Sequence, residues 1–153
     1  MVGACVRAVQ APFSASAAQA QLVIAVDTAL VAGAGGSSIA AGIYLMDNQL
    51  NTGSTGEGGM ALHSVVPIGA LIGFSAFAID SGSGDKVVIT GFSIVDGNVF
   101  GSPGYPVQQG ADYWIGQAMN IGTQTYRIQL RITAGALRPT DYYVHTQAGL
   151  TAR

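Results

Sequence analysis

The sequence predicts an all-β protein: an antiparallel β-sandwich, immunoglobulin-like or jelly-roll-like, of roughly seven to nine strands. Three observations carry that expectation. The stretch Gln124–Thr133 (QTYRIQLRIT) sets Tyr126, Ile128, Leu130 and Ile132 on one side and Thr125, Arg127, Gln129, Arg131 and Thr133 on the other. Alternation with period two is the side-chain geometry of a strand with one dry and one wet face. Short apolar runs recur along the rest of the chain, and 22 glycines cluster with Asp, Asn, Ser and Pro between them. Such clusters supply tight turns. No segment shows the 3.6-residue period of an amphipathic helix.

Taken in order, residues 1–20 have no clear period and read as a loosely ordered leader or an extra edge strand. Ala18-Gln19-Ala20 has the small-residue spacing of a signal-peptidase site, but Arg7, Gln10 and Pro12 interrupt the segment where an apolar region would lie,. Gln21–Asp27 (QLVIAVD) is a β-branched strand, and Gly33–Ser38 is a loop,. Ile39–Asp47 is the next strand, since Gly42 disfavours a helix,. Asn48–Gly59 is a flexible polar connection. Met60–Val66 alternates, with Met60, Leu62, Ser64 and Val66 on one side. A turn at Pro67-Ile68-Gly69 leads into Ala70–Ile79, and Asp80–Asp85 turns again,. Lys86–Val95 is a long strand with Gly91 as a bulge at its middle, ended by the turn Asp96-Gly97-Asn98,. Val99–Ala111 is irregular, Tyr113–Met119 is a strand, and Asp141–His145 is a last short strand before a fraying tail. Residues 21–153 form one domain, with no solenoid-length repeat,.

Composition narrows the partners. Only 9% of residues are charged against 49% apolar, and the mean hydropathy is +0.40. With so little like-charge repulsion, self-association as a dimer or larger assembly is expected. The net charge of −2 and the scatter of six basic residues argue against nucleic acid,. No apolar run reaches the length of a membrane helix,. Cys5 is the only cysteine, so no intramolecular disulfide forms,.

Chemistry is sparse. His63 and His145 stand on separate strands without a nucleophile motif, and neither a G-x-S-x-G elbow nor H-E-x-x-H occurs,. No catalytic residue, metal site or cofactor is assigned. The only lysine, Lys86, begins a strand rather than following a glycine loop, which removes a P-loop,. Asp80 and Asp85 offer at most weak oxygen ligands for a cation,. Arg127 and Arg131 share a wet face and are expected to pair with acids on neighbouring strands,. The best ligand-binding candidates are Tyr105, Gln108, Asp112 and Trp114, with Gln109 beside them. Aromatic rings stack on sugar C–H faces and polar groups hold hydroxyls. The competing reading makes Trp114 a plug at the end of the sandwich.

The order of the segments resembles the PixA/AidA group of bacterial inclusion-body proteins. Val26-Asp27-Thr28 resembles its opening strand followed by D-T. Gly56-Glu57-Gly58 with Met60–Phe74 resembles its GxG-strand section. Tyr113-Trp114 and Thr123-Gln124-Thr125-Tyr126 resemble its Y-W and T-x-T-Y block, and Tyr142-Tyr143-Val144 its aromatic closing strand. Ala70 departs from the acidic residue usual after Gly69, His145-Thr146 from the usual Trp-Asp, and the loop after Thr28 is shorter. The resemblance implies an immunoglobulin-like sandwich, abundant expression (quorum-regulated in some members), a link to host interaction, and cytoplasmic deposition as inclusions. The function expected is therefore a non-enzymatic, self-associating protein, with a carbohydrate-binding module as the alternative.

Overall fold

The computed structural model describes residues 18–34, 41–110, 112–135 and 137–153. The strands among them are β1 (Ala20–Val26), β2 (Ile43–Asp47), β3 (His63–Val66), β4 (Leu71–Ala78), β5 (Lys86–Asp96), β6 (Val107–Gln108), β7 (Tyr113–Gln117), β8 (Gly122–Ala134) and β9 (Thr140–Ala152). They form a larger sheet, ordered β2-β1-β4-β7-β6, and a smaller one, ordered β3-β9-β8-β5.

Alternation decides which side chains meet between the sheets. Tyr126, Ile128, Leu130 and Ile132 of β8 are all buried, as the period-two pattern requires,. They join Leu22, Ile24, Ile43 and Phe74 of the larger sheet in one continuous core. Across the gap Phe74 meets Phe92 edge-to-face at 4.8 Å between ring centroids, and Phe100 and Tyr126 close around it at 6.4 and 6.3 Å,. One buried layer shared by two sheets is a β-sandwich.

Several expectations are corrected. The sheets are mixed rather than purely antiparallel: β1 pairs with β4 and β3 with β9 in parallel. Each parallel pair is joined through strands of the other sheet, a route that alternation cannot reveal. A short helix, α1 (Thr28–Gly33), follows β1, with the Asp27 side chain capping the Leu30 N–H at 3.2 Å,. At six residues it is too short to show a helical period, although the Asp27 cap was a usable signal. The connection 48–59 is more structured than a polar loop. It holds a 3₁₀ turn at Leu50–Thr52, bridges at Leu45–Gly59 and Thr55–His63, and a buried Ser54 whose hydroxyl accepts from the Val65 N–H. The second strand begins at Ile43, and Ile39 lies outside the described residues. So do residues 1–17 of the leader, Cys5 and Arg7 included, whereas Ala20 is the first residue of β1 and buried.

The largest correction is at the C-terminus. In place of a short strand and a frayed tail, β9 runs 13 residues and pairs with β8 from Gly122–Ala152 to Ala134–Thr140. Its inward residues are Val144, Thr146, Ala148, Leu150 and Ala152, all buried. Alanine and threonine on the dry face hid the alternation. The bulge expected near Gly91 is present, with a register shift between Ile89 and Gly91 and a second between Ile94 and Asp96. Bulges suit β5, which is an edge strand of the smaller sheet,.

Candidate functional site

The aromatic segment picked out in the sequence is split by the fold. Trp114 follows the inward parity of β7: it stands opposite Phe74 in register and packs against Phe92 at 5.4 Å. It is partly buried against the core, and its indole Nε1 is buried with no hydrogen-bond partner. The Tyr105 hydroxyl donates to the Phe92 carbonyl, and its ring packs edge-on against Phe100 at 6.4 Å. Gln108 pairs with Trp114 on the edge strand β6, and Gln109 is exposed, its backbone N–H donating to the Tyr113 carbonyl. Asp112 is exposed and turns elsewhere, into a cleft of about 470 Å³.

That cleft lies at the corner where β4 leaves its partner. β7 pairs with β4 only from Leu71 to Ser75, so Ala76–Ala78 form an open edge beside the start of β5. Phe77, Ser81, Asp85, Lys86, Val88 and Asp112 line it. Asp85 is already engaged: its carboxylate accepts from the Thr28 hydroxyl at 2.5 Å and the Gly135 N–H at 3.2 Å, tying α1 and the β8–β9 turn to the β4–β5 turn. Asp80 accepts from the Gly82 N–H within its own turn. Among the described residues, no group of three or more His, Cys, Asp or Glu side chains could hold a metal ion.

The histidines also part company. His63 Nε2 sits 2.7 Å from the Thr151 hydroxyl, while the neighbouring Ser64 is buried and donates its hydroxyl to Asp47 at 2.5 Å. Successive strand residues face opposite ways, so no Ser–His–Asp relay forms there. Asp47 also accepts from the Gln49 N–H, and Glu57 accepts from the Asp47 N–H at 2.8 Å. Burial first, and then the adjoining Asp47 carboxyl, raise Glu57 above its ordinary value,. Burial, followed by the charge of Asp47, keeps the Tyr126 phenol firmly protonated.

Most residues that carry the family resemblance are structural. Asp27 caps α1, Thr28 binds Asp85, and Gly56 and Gly58 take positive φ in the turn that presents Glu57. Gln124, missed by sequence reasoning because it heads the alternating strand on its dry side, is 1% exposed. Its Oε1 accepts from the Val99 and Phe100 N–H groups, satisfying backbone that the β5–β7 connection would otherwise bury unpaired,.

The two outer faces of the sandwich are the remaining surfaces of interest. Parity and register send Val23, Tyr44, Met46, Leu71, Phe77 and Ile115 outward from the larger sheet. No charged side chain within its strands shares that face. Phe77 is 47% and the edge residue Val107 57% exposed. The smaller sheet presents Arg127, Gln129 and Arg131 of β8 beside Gln147, His145 and Tyr143 of β9. The arginines do not pair with acids as expected. Arg127 lies between Ser93 and Gln147 and Arg131 between Val88 and Tyr143; the nearest acids on the face, Asp96 opposite Thr125 and Asp141 opposite Thr133, are diagonal to them, and neither arginine forms an ion pair with a described residue.

These features define a two-sheet β-sandwich without an assembled catalytic centre among the described residues. The chain belongs to the family described as a domain of unknown function, DUF8788, whose profile matches residues 18–137. A search of curated proteins finds no match. Among solved structures, the chain is similar to an inclusion body protein (PixA) from Burkholderia cenocepacia J2315. The TM-score is 0.71 at 15% identity, covering 90% of this chain and 97% of that one. The resemblance to the PixA/AidA group read from the motifs is thus met at the level of the fold.

Proposed function

We propose that the chain is a non-enzymatic structural protein that associates with itself through the outer face of the larger sheet. The observation that carries this reading is the uncharged face of Val23, Tyr44, Met46, Phe77 and Ile115, on a chain with only 9% charged residues. Phe77 on this face is exposed and the other four are half-buried, and apolar surface left open on a sheet face is where interaction sites form,. A solved structure of the same fold bears the name inclusion body protein, which is consistent with packing against itself. The same reading expects cytoplasmic inclusions and density-dependent, host-linked expression, to be followed by microscopy of tagged protein through growth. Light scattering across a concentration series is the direct test. The wild type should exceed the 15.5 kDa of one chain, and a strict monomer at every concentration would overturn the reading.

A second reading, a carbohydrate-binding module, is favoured by one observation: Asp112 opens onto the same cleft as Phe77 and Lys86. That would supply a carboxylate, a stacking ring and an amine in one place. It expects a glycan-array signal that Asp112→Ala removes. Loss of the signal in Trp114→Ala, with the fold intact, would return the site to the Tyr105–Trp114 segment.

A further inference from the structure

Apart from its uncharged face and its cleft, the molecule has a third surface whose chemistry is unspent. Arg127, Gln129 and Arg131 on β8, and Gln147, His145 and Tyr143 on β9, stand in adjacent rows on the outer face of the smaller sheet. Among the described residues, none of these side chains makes a hydrogen bond or ion pair. Several polar side chains elsewhere are networked: Asp47 with Ser64 and Gln49, Asp85 with Thr28 and Gly135, and Gln124 through its Oε1 with Val99 and Phe100. Two acids stand at the ends of this face, Asp141 opposite Thr133, whose hydroxyl donates to it at 2.6 Å, and Asp96 of β5 opposite Thr125, and neither forms an ion pair with Arg127 or Arg131. The face therefore carries two guanidiniums with no ion-pair partner among the described residues, two amides and an imidazole. Tyr143, 67% exposed, lies directly opposite Arg131.

We infer that this face binds an extended acidic polysaccharide, one with carboxylate-bearing sugar rings, laid along β8 and β9. The spacing selects the ligand. Residues four apart on a strand are about 13 Å apart, so Arg127 and Arg131 meet charges separated by a ring or more, with Gln129 and His145 between them for hydroxyls. Guanidinium forks match carboxylates in paired hydrogen bonds. Next to Arg131, the Tyr143 ring borders a shallow hollow of about 250 Å³ formed with Thr90, Gln129, Leu130, Val144 and His145. A ring face beside a hollow suits the C–H side of a sugar. Duplex nucleic acid carries a phosphate charge about every 1.7 Å, a density that two spaced arginines do not answer.

The test is binding of polygalacturonate to the full-length protein at low salt, with dextran, polyglutamate and double-stranded DNA as comparisons. The result expected is binding to polygalacturonate but not dextran, weakened at least tenfold by Arg127→Gln/Arg131→Gln and several-fold by Tyr143→Ala, with unchanged melting temperatures. Equal binding to polyglutamate or DNA would overturn sugar recognition in favour of a general anion surface. Polygalacturonate binding that survives these substitutions but is lost in Asp112→Ala would overturn the location and assign the ligand to the cleft. No binding by the folded wild type would overturn the inference outright, and leaves self-association, read by light scattering, unaffected.

Discussion

On the larger sheet Val23, Tyr44, Met46 and Ile115 point away from the core with no charge among them. On the smaller sheet the equivalent outward positions hold Arg127, Gln129, Arg131 and His145. Both faces rest on the same strand geometry, and both sheets bury their inner side chains in the same core. The difference is written in the runs themselves. Strands of the larger sheet come from unbroken apolar stretches such as LVIAV and IYLM, while β8 alternates at every step. Unbroken runs are what a strand covered on both faces looks like. No described element covers the outer side of the larger sheet, and the self-association proposed above would use that apolar surface.

The largest effect should come from charging that surface. Ile115→Lys or Phe77→Asp is expected to reduce the scattering mass to that of a single 15.5 kDa chain, whereas Arg131→Gln on the opposite face leaves it unchanged. If the two faces responded alike, the division of labour between them would fail.

A matched pair of glycines probes the same contrast through stability. Gly73, on the larger sheet, lies beneath the Tyr113 hydroxyl, and a Cβ there would collide with it and crowd the Gln21 side chain at 2.8 Å. Gly73→Ala should cost about 1–3 kcal/mol by overpacking. Gly91, on the smaller sheet, faces only the Gln129 amide oxygen at 3.0 Å, the exposed tip of a flexible side chain. Gly91→Ala should therefore stay within about 0.5 kcal/mol of wild type. Chemical denaturation of the two variants side by side decides it. A smaller effect again is expected for Arg127→Gln and Arg131→Gln. With no ion pair to lose, each should change thermal stability by less than about 0.5 kcal/mol.

How much of this was legible follows from what each residue does. The sandwich could be read from β8, because Tyr126, Ile128, Leu130 and Ile132 declare the period in large apolar side chains. Its partner β9 could not, because Thr146, Ala148 and Ala152 fill the same role with little hydrophobic signal. Parallel pairing of β1 with β4 depends on which sheet the intervening β3 joins, a tertiary choice that no local window contains. For the candidate site, Asp112 and Trp114 are two residues apart in sequence and would share a face in one strand, yet β7 begins only at Tyr113, so Trp114 packs on Phe92 while Asp112, ahead of the strand, faces the cleft,. Arg127 and Arg131 were visible as a wet face. Their lack of acidic partners was not, since it depends on the registers of β5 and β9.

The smallest effect tests the rim between the faces, where Glu57 accepts from the Asp47 N–H. Burial and the nearby Asp47 carboxyl raise its pKa in the folded chain above the ordinary 4.5. The folded state then holds this proton more tightly than the unfolded state, so protonation favours folding. That contribution is complete below the unfolded value and is lost as the pH rises through the folded one. At neutral pH the charged Glu57 therefore weighs slightly against the fold. Glu57→Gln keeps an oxygen to accept from Asp47 and removes the charge, so it should melt slightly higher than wild type at pH 7 and equal to it below about pH 4. The side chain is largely exposed, so screening should hold the difference to about 0.2 kcal/mol,. Parallel melting curves at every pH would show that the two carboxyls do not sense each other, and would leave the 3₁₀ turn and its bridges to hold the loop on their own.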